Sequence, residues 1–129
     1  MEYYKDLLAF KKGYELAMEI FTLSKKFPPE EKYSLVDDMT RAARSSTQNI
    51  AEGFGRFHYQ ENMQFCRQSR GSVEELIDQL IAARDEKYIA DAEYQEGREL
   101  INKALALLNG YINYLARAKS NKSRITHNE

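Results

Sequence analysis

LINKALALLNGYINYLARA, residues 100–118, is the stretch that decides the fold. Leu100, Ala104, Leu107, Tyr111, Tyr114 and Ala118 fall on one helical line, and Ile101, Leu105, Leu108, Ile112 and Leu115 fall on the next. Apolar residues at alternating steps of three and four mark a helix that faces a core. Two adjacent lines give an apolar arc wider than one bundle needs, so this helix is expected to meet a second subunit as well. Its predicted span is about 91–119, with Asp91 as N-cap and Glu93 as an acid in the first turn. Residues 120–129 turn polar and are expected to fray.

Working outward, three more segments carry the same period. Leu7, Phe10, Tyr14, Ala17 and Phe21 form a line, widened by Leu16, Ile20, Leu23 and Phe27, and predict a helix over about 6–26. Gly13 inside it costs about 1 kcal/mol against Ala, which predicts a close neighbour there. Pro28-Pro29 stops that helix, because a proline pair cannot continue it and the residue before proline avoids the helical region. Ser34-x-x-Asp37 resembles a capping box and sets the next helix at about 34–52. Its seam is Leu35, Met39, Ala42, Ser46, Asn49 and Gly53, small or polar in its second half. Gly53 and Gly55 suit a helix C-terminus. Met63, Cys66, Ser69, Val73, Leu76, Leu80 and Ala83 predict a third helix over about 60–87, and Gly71-Ser72 in its middle suggests a tight crossing. Four helices of about 20–28 residues, each about 30–42 Å long with short connections, predict an all-α, up-down-up-down antiparallel four-helix bundle over residues 1–119.

Composition agrees. A chain of 129 residues can bury one core, so one domain is expected. Aromatics at 12% argue against disorder, and only two Pro and six Gly leave too few turns for a sandwich or barrel. The single Cys66 excludes an intramolecular disulfide and any multi-cysteine metal site. The start, Met1-Glu2-Tyr3-Tyr4-Lys5-Asp6, lacks the apolar run of a signal peptide, and no stretch of 18 apolar residues exists. A cytoplasmic location with no membrane contact is the expectation. A net charge of −1 gives no global attraction to nucleic acid, so any such binding needs a local patch.

A search for catalytic chemistry returns little. His58 and His127 stand apart, without the Glu-x-x-His or His-Glu-x-x-His patterns of metal sites. Cys66 lies on an apolar seam, where a small core residue is a better reading than a nucleophile lacking a base. Gly53-x-Gly55 has neither a third glycine at the dinucleotide spacing nor a preceding strand. The acid pairs Asp37-Asp38 and Glu74-Glu75 point about 100° apart on a helix, so they are not dyads. No catalytic residue, cofactor, metal or small-molecule substrate is expected.

The basic residues are more informative. From Arg41 to Arg84 all are arginine: Arg41, Arg44, Arg56, Arg67, Arg70 and Arg84. Arginine's planar fork suits carboxylate or phosphate. These side chains could pair internally with Glu52, Glu61, Glu74 and Glu75. Alternatively Arg44, Arg56, Arg67 and Arg70, together with Arg117, Lys119, Lys122 and Arg124 near the C-terminus, offer anion or nucleic-acid contacts. The terminal group serves equally well as a complement to the helix dipole.

The stretch Arg41-Ala42-Ala43-Arg44-Ser45-Ser46-Thr47-Gln48-Asn49-Ile50-Ala51-Glu52-Gly53 resembles the signature of the 23S rRNA-intervening-sequence protein family, also called the four helix bundle protein family. Phe27-Pro28, Glu31-x-Tyr33-x-Leu35, Phe65 and Gly71-Ser72-x-x-Glu75-Leu76 follow the family pattern in order, over about residues 7–115. Asp38, Arg44, Ser46, His58 and Tyr59 depart from it. The resemblance implies a bundle assembled as a ring, with a homo-pentamer as the expected state. Founding members are encoded in insertions within large-subunit rRNA genes. A related branch, the accessory protein of diversity-generating retroelements, uses a basic ring to bind nucleic acid and a reverse transcriptase.

Arg41, Ser45, Gln48 and Glu52 share a helix face by their 4-3-4 spacing, with Asn49 on the seam. A buried polar network of Arg41, Ser45, Asn49, Glu52 and Gly53 with Gly71, Ser72 and Glu75 is expected, fixing register and assembly. The functional expectation is a non-enzymatic homo-oligomeric scaffold or adaptor that meets RNA, DNA or a nucleic-acid enzyme. The alternative is a structural or protein-interaction module without nucleic-acid contact.

Overall fold

The computed structural model describes residues 3–128, with side chains through Ser123. Four helices run in chain order: α1 (Leu8–Ser24), α2 (Leu35–Phe54), α3 (Tyr59–Asp85) and α4 (Asp91–Asn128), with short 3-10 turns at Tyr4–Asp6 and Pro29–Glu31. No strand occurs among the described residues. Helix α1 neighbours α2 and α4, and α3 neighbours α2 and α4, with the diagonal pairs meeting only through the core. Each neighbour is antiparallel. Leu80 meets Gly97 while Asn62 meets Tyr111 across α3 and α4. The expected up-down-up-down bundle is present.

The core divides into two clusters. One, toward the Pro28-Pro29 turn, holds Leu16, Ile20, Leu23, Met39, Leu76, Leu80 and Ile101. The other holds Leu7, Ile50, Met63, Cys66, Leu108, Ile112 and Leu115. Between them lies a layer in which α1, α2 and α3 contribute Gly13, Ser46 and Ser69, all buried. At Gly13 a Cβ would sit 3.6 Å from Thr47 Cγ2 and 3.8 Å from Ile50 Cδ1, ordinary contact distances, so the close approach expected there is not what calls for glycine.

Helix ends depart from the sequence expectation in physically clear ways. Ser34 precedes α2 but makes no side-chain cap. The preceding 3-10 turn holds it at φ −125°, ψ −97°, and its hydroxyl turns back to Glu31 Oε1 at 3.3 Å. Helix α2 ends at Phe54 with Gly55 right-handed, so neither Gly53 nor Gly55 acts as a left-handed cap. Helix α3 ends in a Schellman motif, in which Tyr88 N–H donates to the Ala83 carbonyl and Lys87 N–H to that of Arg84, both at 2.9 Å. Lys87 takes the left-handed position at φ 63°, where glycine is usual. At the start of α4 the cap residue is Ala90, not Asp91. Glu93 Oε1 accepts the Ala90 N–H at 2.8 Å, which is the reciprocal half of a capping box. That bond and the Lys26 ammonium beside it hold the Glu93 carboxyl below its usual range.

Helix α4 does not stop near 119. It runs to Asn128, 38 residues or about 57 Å, and outruns the 27 residues of α3 by about 16 Å. Polarity after Ser120 removes a buried face but supplies no breaker, and Lys, Arg and Ser continue a helix at small cost.

Candidate functional site

The α2–α3 seam is where the sequence placed a polar network, and the structure builds a smaller one there. Ser69 Oγ donates to the Ser46 carbonyl at 2.6 Å, both residues fully buried. Ser72 Oγ donates to Ser45 Oγ at 2.9 Å, and Asn49 Nδ2 donates to the Ser45 carbonyl at 2.8 Å and its hydroxyl at 3.0 Å. A net gain of about 1 kcal/mol per bond is ordinary. The larger effect is on register, because sliding α3 by one turn would take the buried Ser69 hydroxyl from its acceptor, whereas the Ser46 hydroxyl is satisfied within α2 by the Ala43 carbonyl.

Of the expected members, Ser45, Asn49 and Ser72 join this network. Arg41, Glu52 and Glu75 do not, since all three are exposed. Arg41 faces Asp38 at 3.6 Å and Glu52 accepts from Arg56 at 2.8 Å. The geometry of α2 explains this. Its buried line is Met39, Ala42, Ala43, Ser46, Ile50 and Gly53, and at about 100° per residue Arg41 and Glu52 lie well past its edge. Gly71, expected at a tight crossing, is exposed with open space around it.

Gly53 is the tight point. A Cβ there would lie 2.7 Å from Asn62 Oδ1, 2.9 Å from Phe65 Cβ and 3.0 Å from the Asn62 carbonyl. Buried Asn62 in turn donates to Tyr111 Oη at 3.0 Å, tying α3 to α4. Sequence reading missed Asn62, although it stands four residues before Cys66 at the head of the seam line. Cys66 itself is fully buried, and burial pushes its thiol up to about 11. Its polar neighbour is the Asn62 amide oxygen at 3.5 Å, not a base. Among the described residues no cluster of three or more His, Cys, Asp or Glu could hold a metal.

The arginines divide between internal pairing and exposure. Arg56 pairs with Glu52 and, at 3.9 Å, Glu61, and lies over the Phe65 ring at 4.8 Å. Arg70 donates to Asn109 at 2.8 Å and approaches Glu74 at 3.8 Å. Arg44 lies over Phe21 at 5.4 Å. Arg67 and Arg117 are exposed. Lys119 donates to Gln60 at 2.7 Å, and Lys122 sits over the Phe57 and Tyr59 rings at 5.3 and 5.9 Å. The Arg124 side chain lies outside the described residues. The structure therefore gathers Arg56, Arg117, Lys119 and Lys122 at one end of the bundle and leaves Arg44, Arg67 and Arg70 along its sides.

Two surface features complete the picture. Leu7, Leu8, Ala106, Leu107, Gly110 and Tyr114 line an apolar groove of about 450 Å³ between α1 and α4. Leu8 is 65% exposed and Tyr114 56%, so the α4 line through Leu107, Tyr111 and Tyr114 is only half covered by its own bundle, while the line through Ile101, Leu108, Ile112 and Leu115 is buried. No helix among the described residues is long and apolar enough to cross a membrane.

The family model for the 23S rRNA-intervening sequence protein matches residues 5–110. The chain belongs to that family. A solved structure from the S23 ribosomal protein family, a protein of unknown function from Bacteroides thetaiotaomicron, is similar at 20% identity and a TM-score of 0.75. That similarity covers 81% of this chain and 98% of the other. At such identity the likeness speaks to the fold. No curated protein matches the chain. Within this chain the signature-like stretch 41–53 is a packing device: Ser45, Ser46, Asn49 and Gly53 serve the α2–α3 contact, and Arg41 and Glu52 face outward.

Proposed function

We propose that this protein is a non-enzymatic scaffold or adaptor that works as a homo-oligomer, a pentameric ring by resemblance, with nucleic acid or a nucleic-acid enzyme as its partner. The observation that carries the reading is the α1–α4 groove. A monomer that leaves Leu8 and Tyr114 more than half exposed beside Leu107 presents a contiguous apolar face, and such faces mark interaction sites. The occupant proposed is a second copy of this chain, whose α4 carries the same apolar excess. The basic end of the bundle supplies the contact for a polyanion.

Sedimentation velocity on the double variant Leu8→Glu, Tyr114→Glu tests the first half. Both side chains are exposed, so the variant should fold, and it should sediment as one chain while the parent does not. A parent that sediments as one chain refutes the assembly. A second reading, a protein-interaction module without nucleic-acid contact, is favoured by the net charge of −1 and by the pairing of Arg56 and Arg70 with acids. Binding of RNA and DNA across a salt series separates the two, because a basic-face binder weakens steeply as salt rises.

A further inference from the structure

We infer that the basic end of the bundle is a stacking platform for single-stranded nucleic acid, with Phe57 and Tyr59 receiving bases and Lys119 and Lys122 lining the phosphate path. This rests on the nucleic-acid reading above and narrows it to one strand form and one surface.

The connection between α2 and α3 breaks the usual rule for loops. Its tip is aromatic: Phe57, His58 and Tyr59 follow one another, and Phe57 is 83% exposed. No core residue covers it. The His58 ring meets it edge-on at 5.0 Å, and the Lys122 ammonium lies over one face at 5.3 Å. A large apolar ring held this far into water contributes little to folding, so stability does not account for it. Cations outnumber acids around the rings: Arg56, Lys119 and Lys122 stand against Glu52 and Glu61, both of which approach Arg56. Residues 111–123 carry Arg117, Lys119 and Lys122 and no acid, and residues 54–60 carry Arg56 and no acid. The contacts Lys119–Gln60 and Lys122–Phe57 bring these two segments together. Residues 85–99 at the opposite end of the bundle carry six acids against Lys87 and Arg98, which makes that end the poorer place for a polyanion.

Exposed rings beside an excess of cations are what a single strand needs: π-faces for unstacked bases and ammonium or guanidinium groups for phosphates. A duplex hides its base faces and could use only the cations. A membrane surface would need a continuous apolar face, and here the rings alternate with Arg56, Gln60 and the lysines.

The chain contains no Trp, so Phe57→Trp creates a sole reporter at the platform. Titration with a mixed-sequence single strand should quench it, and the matching duplex should not. Phe57→Ala should weaken single-strand binding by roughly tenfold and leave duplex binding unchanged. Lys119→Ala with Lys122→Ala should weaken both strand forms and flatten the salt dependence. Equal binding of single strand and duplex, or an unchanged affinity in Phe57→Ala, overturns the platform while the nucleic-acid reading stands. Binding to neither form overturns both. Binding only to vesicles of phosphatidylserine and phosphatidylcholine overturns both in favour of a membrane contact.

Discussion

Replacing Gly53 by Ala should destabilise the protein, and replacing Gly71 by Ala should stabilise it. Both glycines lie inside helices, where alanine gains about 1 kcal/mol from propensity alone. At Gly71 nothing lies within 4 Å of the new Cβ, so that gain is realised in full. At Gly53 the Cβ would meet Phe65 Cβ at 2.9 Å and the Asn62 carbonyl at 3.0 Å, against about 3.5–4.0 Å for a relaxed carbon contact. The backbone carbonyl cannot rotate away, so α2 and α3 must separate by several tenths of an ångström. The Asn62 side chain, at 2.7 Å, must also move, which disturbs its 3.0 Å bond to Tyr111. Overpacking of this kind costs about 1–3 kcal/mol, and loosening a buried hydrogen bond adds about 1 kcal/mol. After subtracting the propensity gain, Gly53→Ala should lose about 1–3 kcal/mol, so the two variants should differ by about 2–4 kcal/mol. Urea unfolding followed by far-ultraviolet circular dichroism, at one protein concentration, measures this directly. Equal stabilisation by both substitutions would refute the close α2–α3 approach at Gly53.

Lys87→Gly should raise stability by about 1 kcal/mol, read as a higher urea midpoint, because glycine removes the strain of a left-handed residue from the Schellman motif. Ser69→Ala should cost about 1–3 kcal/mol by leaving the Ser46 carbonyl with one partner fewer in the core, whereas Gln48→Ala on the exposed face should change stability by less than about 0.5 kcal/mol. Asn49→Leu should lower stability through the loss of its two bonds to Ser45, again read from unfolding curves. Cys66 should resist thiol reagents in the native state and react on unfolding. Its raised native value means that only the unfolded chain ionises first, so its contribution to stability is intact below about pH 9 and lost as pH climbs to about 11.

The helices were legible because their buried lines keep a regular step of three and four over many turns, and tertiary packing uses those same lines. Leu16, Ile20, Leu80, Ile101 and Leu108, all on predicted stripes, are essentially inaccessible. What failed was local or depended on two helices at once. Ser34 carries the right side chain for a cap, but the preceding turn aims it elsewhere. Gly71 looked like Gly53 in sequence, yet only Gly53 faces a neighbour, and facing is a property of the bundle rather than of one helix. Arg41 and Glu52 share a face with Ser45, but only a side chain as short as serine, at the edge of the buried line, reaches across to Ser72. The stop expected near 119 confused the end of burial with the end of the helix. The exposure of Phe57 could not be read at all, since an aromatic in a connection usually folds back onto the core.

The account turns on assembly: we propose that a second copy covers the apolar line on α4 that its own bundle leaves half covered. Light scattering coupled to size exclusion on the intact chain tests this most directly. The account predicts a mass that is a whole multiple of the 15.0 kDa chain, with five copies expected from the family resemblance. A mass of one chain, held across a range of concentrations, would contradict it and leave the exposed Leu8 and Tyr114 without a role.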